Sequence, residues 1–269
     1  MNDEKYDFTV GEEGLDYDIL DYTFNKTTKE FMLNNGLKEG MNILEIGCGS
    51  GIMTSWIAKQ IGDNGHITSI DNSQEQIHFA QKSIDKQQLM NVSFKCISAY
   101  DLEELNMKFD LVYCRFVLHH LHSPRQAIKI FYNCLNHKGI YIAEEGIISS
   151  AFSYPPYTSW HHERGTVKQP EIEKDGIDRD GDFGIKLSYN MQDSGFTINN
   201  RSLVQPVLST KKEKSMLITG RESFKDTALA QGMTQQEWNN ETINLTKLIN
   251  DNKAFVAFYQ SCQVSGVKS

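Results

Sequence analysis

One ten-residue segment constrains the fold of this chain more than any other. Residues 43–52 read ILEIGCGSGI, an apolar run with one acidic residue that leads directly into three alternate glycines. Alternate glycines let the backbone turn sharply and leave no Cβ between the main chain and a ligand. A helix that starts after such a turn presents unpaired N–H groups to that ligand. The segment therefore predicts a strand, a ligand-binding turn and the start of a helix.

Downstream of this turn, the apolar pattern alternates between strand and helix periods. It predicts strands at 66–70, 92–96, 109–114 and 140–144, and helices at 53–61, 74–86 and 124–135. Alternating strands and helices predict a parallel sheet that is covered on both faces. Ligands of such sheets bind beyond the carboxyl ends of the strands. Gly47, Asp71, Ser98, Arg115 and Glu145 are all expected at that edge, and hence at one site.

Four features, in this order, resemble the class I S-adenosylmethionine (SAM)-dependent methyltransferases. The first is the acidic strand with its G-x-G-x-G turn, and the second is Asp71, which ends the next strand 20 residues after Gly51. The third is the strand 109–115, which opens with Phe109 and Asp110, and the fourth is the strand 139–145. The resemblance covers roughly residues 10 to 207. A dinucleotide fingerprint would need glycine where Ile52 stands, so an NAD-dependent oxidoreductase is a weaker alternative.

The resemblance implies an α/β fold: a Rossmann-like, doubly wound, mostly parallel seven-stranded sheet. Residues 1–36 are expected to form an N-terminal helical cap, and residues 37–269 the SAM-binding domain. Within that domain, a substrate-side loop is expected at 146–184, and a helical lid insertion at 211–251, before the last strand. The pattern further predicts a helix at 185–191 and strands at 197–208 and 254–264.

The resemblance also implies SAM as cofactor and S-adenosylhomocysteine (SAH) as product, with in-line transfer of a methyl group to an O, N or C atom of a small molecule. The cofactor-binding residues that it implies are Glu45, Gly47, Cys48, Gly49, Gly51, Asp71, Asn72, Ser98, Ala99, Tyr100, Arg115 and Tyr22. A SAM-binding protein without catalysis is the main rival.

Several of these residues have an alternative role. Asp71 could serve only to cap the next helix, and Glu45 could bond the backbone of the glycine turn. Ser98 and Ala99 stand where family members often carry an Asp that meets the adenine amine, so Tyr100 could instead stack on the adenine.

A general base is needed if the acceptor is a hydroxyl or an acidic carbon, and the candidates are His120 and Glu145. His119, His120 and His122 have no Cys or carboxylate partner nearby in the sequence, so no metal site is predicted.

Composition and charge narrow the function classes. The chain has 269 residues, a formal net charge of -8 and no dense cluster of Lys and Arg. An acidic surface repels a phosphate backbone, so nucleic acid is not expected as a substrate. The chain has no apolar run of about 18 residues and no signal-peptide pattern, so membrane insertion is not expected. Five cysteines without a C-x-x-C pair fit a reducing cytoplasm. The oligomeric state is left open, a homodimer included.

Overall fold

The computed structural model describes residues 17–157, 180–222, 225–230 and 232–269. The strands in these ranges are β1 (Asn42–Ile46), β2 (His66–Asp71), β3 (Val92–Cys96), β4 (Phe109–Arg115), β5 (Leu135–Ile147), β6 (Phe152–Tyr154), β7 (Phe196–Val204), β8 (Val207–Leu208), β9 (Phe255–Ala257) and β10 (Gln260–Lys268). The helices are α1 (Tyr17–Asn34), α2 (Ile52–Ile61), α3 (Gln74–Gln87), α4 (Pro124–Cys134), α5 (Phe183–Asp193), α6 (Lys211–Glu222), α7 (Lys225–Ala230) and α8 (Gln235–Asn250).

A seven-stranded sheet with the order β3-β2-β1-β4-β5-β10-β7 forms the centre of the fold. Strands β3, β2, β1, β4 and β5 pair in parallel, whereas β10 runs antiparallel to both β5 and β7. The predicted α/β fold with a mostly parallel seven-stranded sheet is confirmed. The carboxyl ends of β1, β2, β4 and β5 lie along one edge, which carries the glycine turn.

Helices cover both faces of this sheet, because successive residues of a strand point to opposite sides. On one face, Ile43 and Leu111 are buried with Phe31 of α1 and Ile57 of α2. On the other face, Leu44, Val112 and Tyr141 are buried in a second cluster, to which α4 and α5 contribute. The central strands are therefore buried on both sides, as the near-continuous apolar runs in the sequence require.

A second, three-stranded sheet with the order β6-β9-β8 lies beside the helices of the insertion. One buried cluster joins Phe24 of α1, Leu217 of α6, Leu245 of α8 and Val256 of β9. We call this cluster the cap core. The cap helix and the insertion thus bury their apolar faces against each other and form one covering layer.

Two predicted strands are each broken in the structure. The predicted strand 197–208 divides into β7 and β8, and the predicted strand 254–264 divides into β9 and β10. Pro206 has no N–H to give to a ladder, and its carbonyl accepts from Phe258 N at 2.8 Å. The Gln205 side-chain amide donates to Ser150 O and to Phe258 O, at 2.9 and 3.0 Å. Gln205 therefore holds the chain where it leaves one sheet for the other.

Buried cations fix the inserted helices. The ammonium group of Lys214, on α6, donates to Asp251 O and Ala254 O beyond the end of α8. The guanidinium of Arg221 lies 3.8 Å from the ring centroid of Trp238 and donates to the Trp238 carbonyl. The three helices α6, α7 and α8 lie in the segment 211–251, which was predicted to be a helical insertion. The predicted domain boundaries stay predictions, and residues 1–16 and 158–179 of the cap and the substrate-side loop lie outside the described residues.

Among the residues of the described ranges, no helix combines the length and the apolar character needed to cross a bilayer. Within the same ranges, no group of three or more His, Cys, Asp and Glu side chains is arranged to hold a metal ion.

Candidate cofactor and acceptor site

The glycine turn between β1 and α2 needs glycine for both conformation and space. Gly47 and Gly51 have φ angles of 70° and 77°, in the left-handed region that side chains rarely adopt. A Cβ on Gly47 would lie 2.5 Å from Cγ2 of Val117, and a Cβ on Gly51 would lie 2.9 Å from Cβ of Ala80. The turn therefore packs directly against Val117, two residues beyond β4, and against α3.

Gly51→Ala should destabilise the protein more than the left-handed conformation alone explains. Gly40→Ala is the matched control, because Gly40 has a φ of 80° and nothing within 4 Å of its missing Cβ. Both variants carry the conformational cost of about 1–2 kcal/mol, and only Gly51→Ala adds overpacking of about 1–3 kcal/mol. Denaturant unfolding of both variants measures the difference. Equal losses of unfolding free energy in the two variants would show that α3 moves away at Ala80 without an energetic cost.

Asp71 lies at the carboxyl end of β2 and faces the turn. Its Oδ2 accepts from Gly49 N at 3.1 Å, and its Oδ1 accepts from Ser73 N at 3.0 Å. Burial raises the pKa of the carboxyl, and these backbone N–H groups oppose the rise. The cap of α3 is Ser73, whose hydroxyl accepts from Gln76 N. Asp71 thus stabilises the turn, whereas Ser73 caps the helix, and contact of Asp71 with a ribose stays a prediction.

Glu45 lies beneath the turn and is buried. Its Oε2 accepts from the hydroxyls of Thr54 and Ser69, rather than from the backbone of the turn as the alternative role required. Burial raises the pKa of this carboxyl to about 7, against the opposing effect of the two hydroxyls. Contact of Glu45 with a cofactor stays a prediction.

Glu45→Gln should flatten the dependence of stability on pH. The folded pKa of Glu45 lies near 7 and its ordinary value is 4.5. Between these values the folded state keeps a proton that the unfolded state has lost, so the free energy of unfolding falls as the pH rises. Denaturant midpoints from about pH 5 to pH 8 should fall less for the variant than for the wild type. The exposed Glu104→Gln is the control, and parallel curves for wild type and Glu45→Gln would contradict the prediction.

The residues that were predicted to contact the adenine form hydrogen bonds within the protein. Ser98 Oγ accepts from Tyr100 N at 3.2 Å, and the Tyr100 hydroxyl accepts from Ser123 N at 2.8 Å, at the start of α4. Tyr100 and Ala99 pack against the buried cluster under α4. These contacts favour a structural role for Tyr100, and adenine stacking stays a prediction. Asn72 is exposed, and Cys48 is buried with Ile77 and Ala80.

The predicted cofactor contact of Tyr22 stays a prediction, and the structure gives this side chain a partner within the protein. The Tyr22 side chain is 55% exposed, and its hydroxyl donates to Glu213 of α6 at 2.9 Å. The contact spans 191 residues of sequence, which is why no local pattern indicated it. Tyr22 ties the cap helix to the insertion on the outside of the covering layer.

Arg115, at the end of β4, also faces the cap helix. Its guanidinium donates to Asn25 at 2.7 Å and to Thr28 at 3.3 Å, and it forms an ion pair with Asp21 at 3.2 Å. Thr28 in turn donates to Glu144, a buried carboxylate of β5. The structure therefore gives Arg115 a role in holding α1, and its contact with a cofactor stays a prediction.

Glu145 lies at the end of β5 on the opposite face of the sheet and is fully buried. Its Oε1 accepts from Val117 N at 2.9 Å and from Leu118 N at 2.7 Å. Its Oε2 lies 2.7 Å from Nδ1 of His119. The two predicted base candidates, His120 and Glu145, are not hydrogen-bonded to each other by any contact that we observe. The ring of His120 instead lies 3.8 Å, centroid to centroid, from that of His119.

Two features at this edge escaped prediction. Phe116 has a φ of 56°, a strained conformation for a bulky residue. Its ring packs with Phe24 of the cap helix and with Tyr259, at centroid distances of 5.3 and 6.1 Å.

The second feature is Gln76, which is 2% exposed and lies one turn before Ala80. Its amide has no hydrogen-bond partner in the described part of the chain. Neither an aromatic pair from distant segments nor a buried amide has a local sequence signal.

Comparison with known proteins gives a family and a fold. A family model described as a methyltransferase domain matches residues 37–175, just over half of the chain. A ubiquinone biosynthesis O-methyltransferase of Coxiella burnetii is 30% identical over 96 residues, which cover 36% of this chain and 38% of that protein. The match thus spans well under half of the length of this curated relative.

Solved structures extend the likeness over nearly the whole chain. A putative methyltransferase from Bacillus halodurans has a TM-score of 0.60 at 13% identity, covering 90% of this chain and 99% of that one. The structure titled as the [4+2]-cyclase SpnF has a TM-score of 0.57 at 18% identity, with 91% and 80% covered. At these identities, the likeness is one of fold.

The glycine turn is held by Asp71 at the end of the next strand, and the seven-stranded sheet has one antiparallel strand. These features place the protein in the class I SAM-dependent methyltransferase fold. The match over residues 37–175 is more specific. The chain belongs to the methyltransferase domain family. The resemblance drawn from the four sequence motifs is confirmed.

Proposed function

We propose that this protein is an enzyme that binds SAM at the glycine turn and transfers its methyl group to a small-molecule acceptor, releasing SAH. The observation that carries the proposal is the convergence of the bare glycine backbone and the Asp71 carboxylate at one edge of the sheet. A nucleoside can lie on that backbone while its ribose hydroxyls donate to Asp71. The family match supports the same cofactor.

The reaction needs alignment more than acid chemistry. Methyl transfer is an in-line displacement in which the positive charge of the sulfonium disappears. Holding two reactants in line contributes effective molarities of about 10⁵–10⁸ M, and exclusion of water removes a competing nucleophile. The covering layer of α1 and the insertion is joined through the cap core, and α1 contacts Arg115 and Phe116 at the edge of the sheet that also carries the turn. We assign it the task of shielding the methyl group.

We further propose a small metabolite as the acceptor. Phe116 and Tyr259, which are only partly buried, bring two rings together over Phe24 of the cap core, where the cap helix meets the end of β4. Aromatic walls suit a planar or apolar acceptor. The Coxiella burnetii relative is named for ubiquinone biosynthesis and supports an O-methyltransferase among the options. The net charge of -8 argues against nucleic acid. We place the reaction in the cytoplasm, because the sequence has no apolar run of about 18 residues and its five cysteines include no C-x-x-C pair.

The rival is a protein that keeps the fold and binds SAM without transferring its methyl group. A fold neighbour whose title names a cyclase illustrates that the architecture accommodates other reactions. The rival predicts SAM binding with no SAH formed from any acceptor. The contact between His119 and the buried carboxylate of Glu145 favours an enzyme, because a buried carboxylate that orients an imidazole is typical of acid–base catalysis.

Calorimetric titration with SAM, SAH and NAD tests the cofactor. We expect SAM and SAH to bind at micromolar concentrations and NAD not to bind. Binding of NAD alone would overturn the proposal and return the protein to the oxidoreductase alternative. Formation of SAH from a panel of phenol, amine and carbon-acid acceptors then separates the enzyme from the rival.

A further inference from the structure

We infer that His119, held by Glu145, is the general base of the acceptor site. The inference rests on the proposed methyl transfer and assigns the base to a residue different from the predicted His120. In it, Glu145 is a positioning residue that acts through His119.

Backbone hydrogen bonds hold the carboxylate of Glu145 in place, in addition to its contact with the imidazole of His119. Its carboxylate is fully buried, and one oxygen accepts from two consecutive backbone N–H groups, those of Val117 and Leu118. These bonds fix the short helical turn Leu118–His120 onto the end of β5. The other oxygen is left for the His119 ring, at 2.7 Å. The strand and the turn that carry the two residues are thus locked in one geometry.

The hydrogen bond also decides which ring nitrogen carries the proton. An ionised carboxylate only accepts, so Nδ1 of His119 is the donor. The neutral ring then has a bare Nε2 that can accept a proton. No group in the described ranges is hydrogen-bonded to Nε2, and the side chain is 18% exposed. The arrangement follows the logic of a buried carboxylate that orients a catalytic imidazole.

The base lies beside the proposed acceptor walls. The His119 ring is 6.4 Å, centroid to centroid, from that of Phe116, which packs with Phe24 and Tyr259. The left-handed conformation of Phe116 turns the chain at the end of β4, immediately before the turn that carries His119. One strained residue thus brings an aromatic wall and an imidazole to the same corner of the sheet.

The chemistry requires an acceptor that has a proton to lose, such as a hydroxyl group. The acceptor oxygen forms a bond to the methyl carbon while the bond between that carbon and sulfur breaks. The electron pair of the broken bond stays on sulfur and gives neutral SAH. The hydroxyl proton passes to Nε2 of His119, and the resulting imidazolium is stabilised by Glu145. Removal of such a base lowers turnover by about 10²–10⁴-fold.

The tautomer of His119 tests the inference without knowledge of the acceptor. We would record ¹⁵N spectra of the histidine-labelled protein at about pH 8, where an ordinary imidazole is neutral. His119→Asn assigns the signal by removing it. We expect the wild-type His119 to carry its proton on Nδ1. A proton on Nε2 would overturn the inference, because that nitrogen could not then act as the base.

Glu145→Gln is the second variant, and it should reverse the tautomer. The amide oxygen can still accept from Val117 N and Leu118 N, so the turn is kept. The amide NH₂ now donates to Nδ1 of His119, which forces the ring proton to Nε2. Diethyl pyrocarbonate, which reacts with a bare imidazole nitrogen, should therefore modify His119 in the wild type and at least tenfold more slowly in Glu145→Gln. His137→Asn, an exposed change at the far end of β5, should alter neither readout.

The outcomes separate this inference from the proposed function. If SAM binds and the His119 tautomer is unchanged in Glu145→Gln, the positioning role of Glu145 is wrong and the methyltransferase proposal stands. If SAM does not bind to the wild type, the proposed function fails whatever the tautomer is. Equal modification of His119 in wild type and Glu145→Gln would also overturn the inference.

Discussion

Asp71→Asn is expected to weaken SAM and SAH binding by about a hundredfold. Each hydrogen bond to an ionised acceptor contributes about 1.5–3 kcal/mol, and two ribose hydroxyls donate to Asp71 in the proposed complex. The asparagine keeps the shape of the side chain, but its NH₂ cannot accept from a hydroxyl or from Gly49 N, which Asp71 now binds. Calorimetry of the variant with SAH measures the loss.

A ligand change shows whether the loss arises at the ribose. SAH that lacks its 2′-hydroxyl should bind the wild type more weakly than SAH does, and should bind Asp71→Asn with little further loss. Asp85→Asn, at an exposed position near the other end of α3, controls for the change in net charge. Unchanged affinity of Asp71→Asn would mean that Asp71 only braces the glycine turn.

Arg115→Met is expected to lower the free energy of unfolding by about 3 kcal/mol, since one partner of a largely buried ionic network is removed. Asp21 of α1 loses its ion pair with Arg115, and Glu144 loses the positive charge of the same residue. Burial raises the pKa of Glu144, and the positive charge of Arg115 opposes that rise. Without Arg115, the cap helix should detach from the sheet. Denaturant unfolding and hydrogen exchange of the α1 amides measure the two effects.

Two further variants identify the cause of that loss. Arg125→Met removes an exposed ion pair with Asp193, with side-chain exposures of 35% and 42%, and should cost no more than about 1 kcal/mol. Arg115→Met combined with Glu144→Gln should recover part of the stability, because the uncompensated buried charge is gone. If Arg115→Met costs no more than Arg125→Met, the network does not hold the cap helix.

The sequence predicted the parts of the fold that depend on local pattern. The apolar run before Gly47 and the glycine spacing specify β1, the turn and α2, because each needs only neighbouring residues. Asp71 was predicted in the same way, since the end of an adjacent parallel strand must lie at the same edge as the turn. The presence of each predicted helix and strand between residues 42 and 144 follows from these short-range rules, although β5 begins at Leu135 rather than at residue 140.

Long-range contacts explain what the sequence did not predict. Tyr22 was assigned to the cofactor, but its hydroxyl partner is Glu213, on a helix formed by a distant segment. His119 and His120 are adjacent and alike in sequence, and only the position of Glu145 distinguishes them. The breaks at Pro206 and before Gln260 depend on Gln205, whose amide joins three segments. Local periodicity contains no information about any of these contacts.

The order of strands in the large sheet has a consequence for synthesis on the ribosome. Strand β10, Gln260–Lys268, lies between β5 and β7, although it follows both in the chain. Until β10 has emerged from the ribosome, the nascent chain has two open strand edges, one on β5 and one on β7. Open edges invite pairing with other chains, so this is the interval in which aggregation is most favoured. The cell must protect the nascent chain during this interval, because the large sheet closes only when the strand that follows all its others in the chain is inserted between two of them.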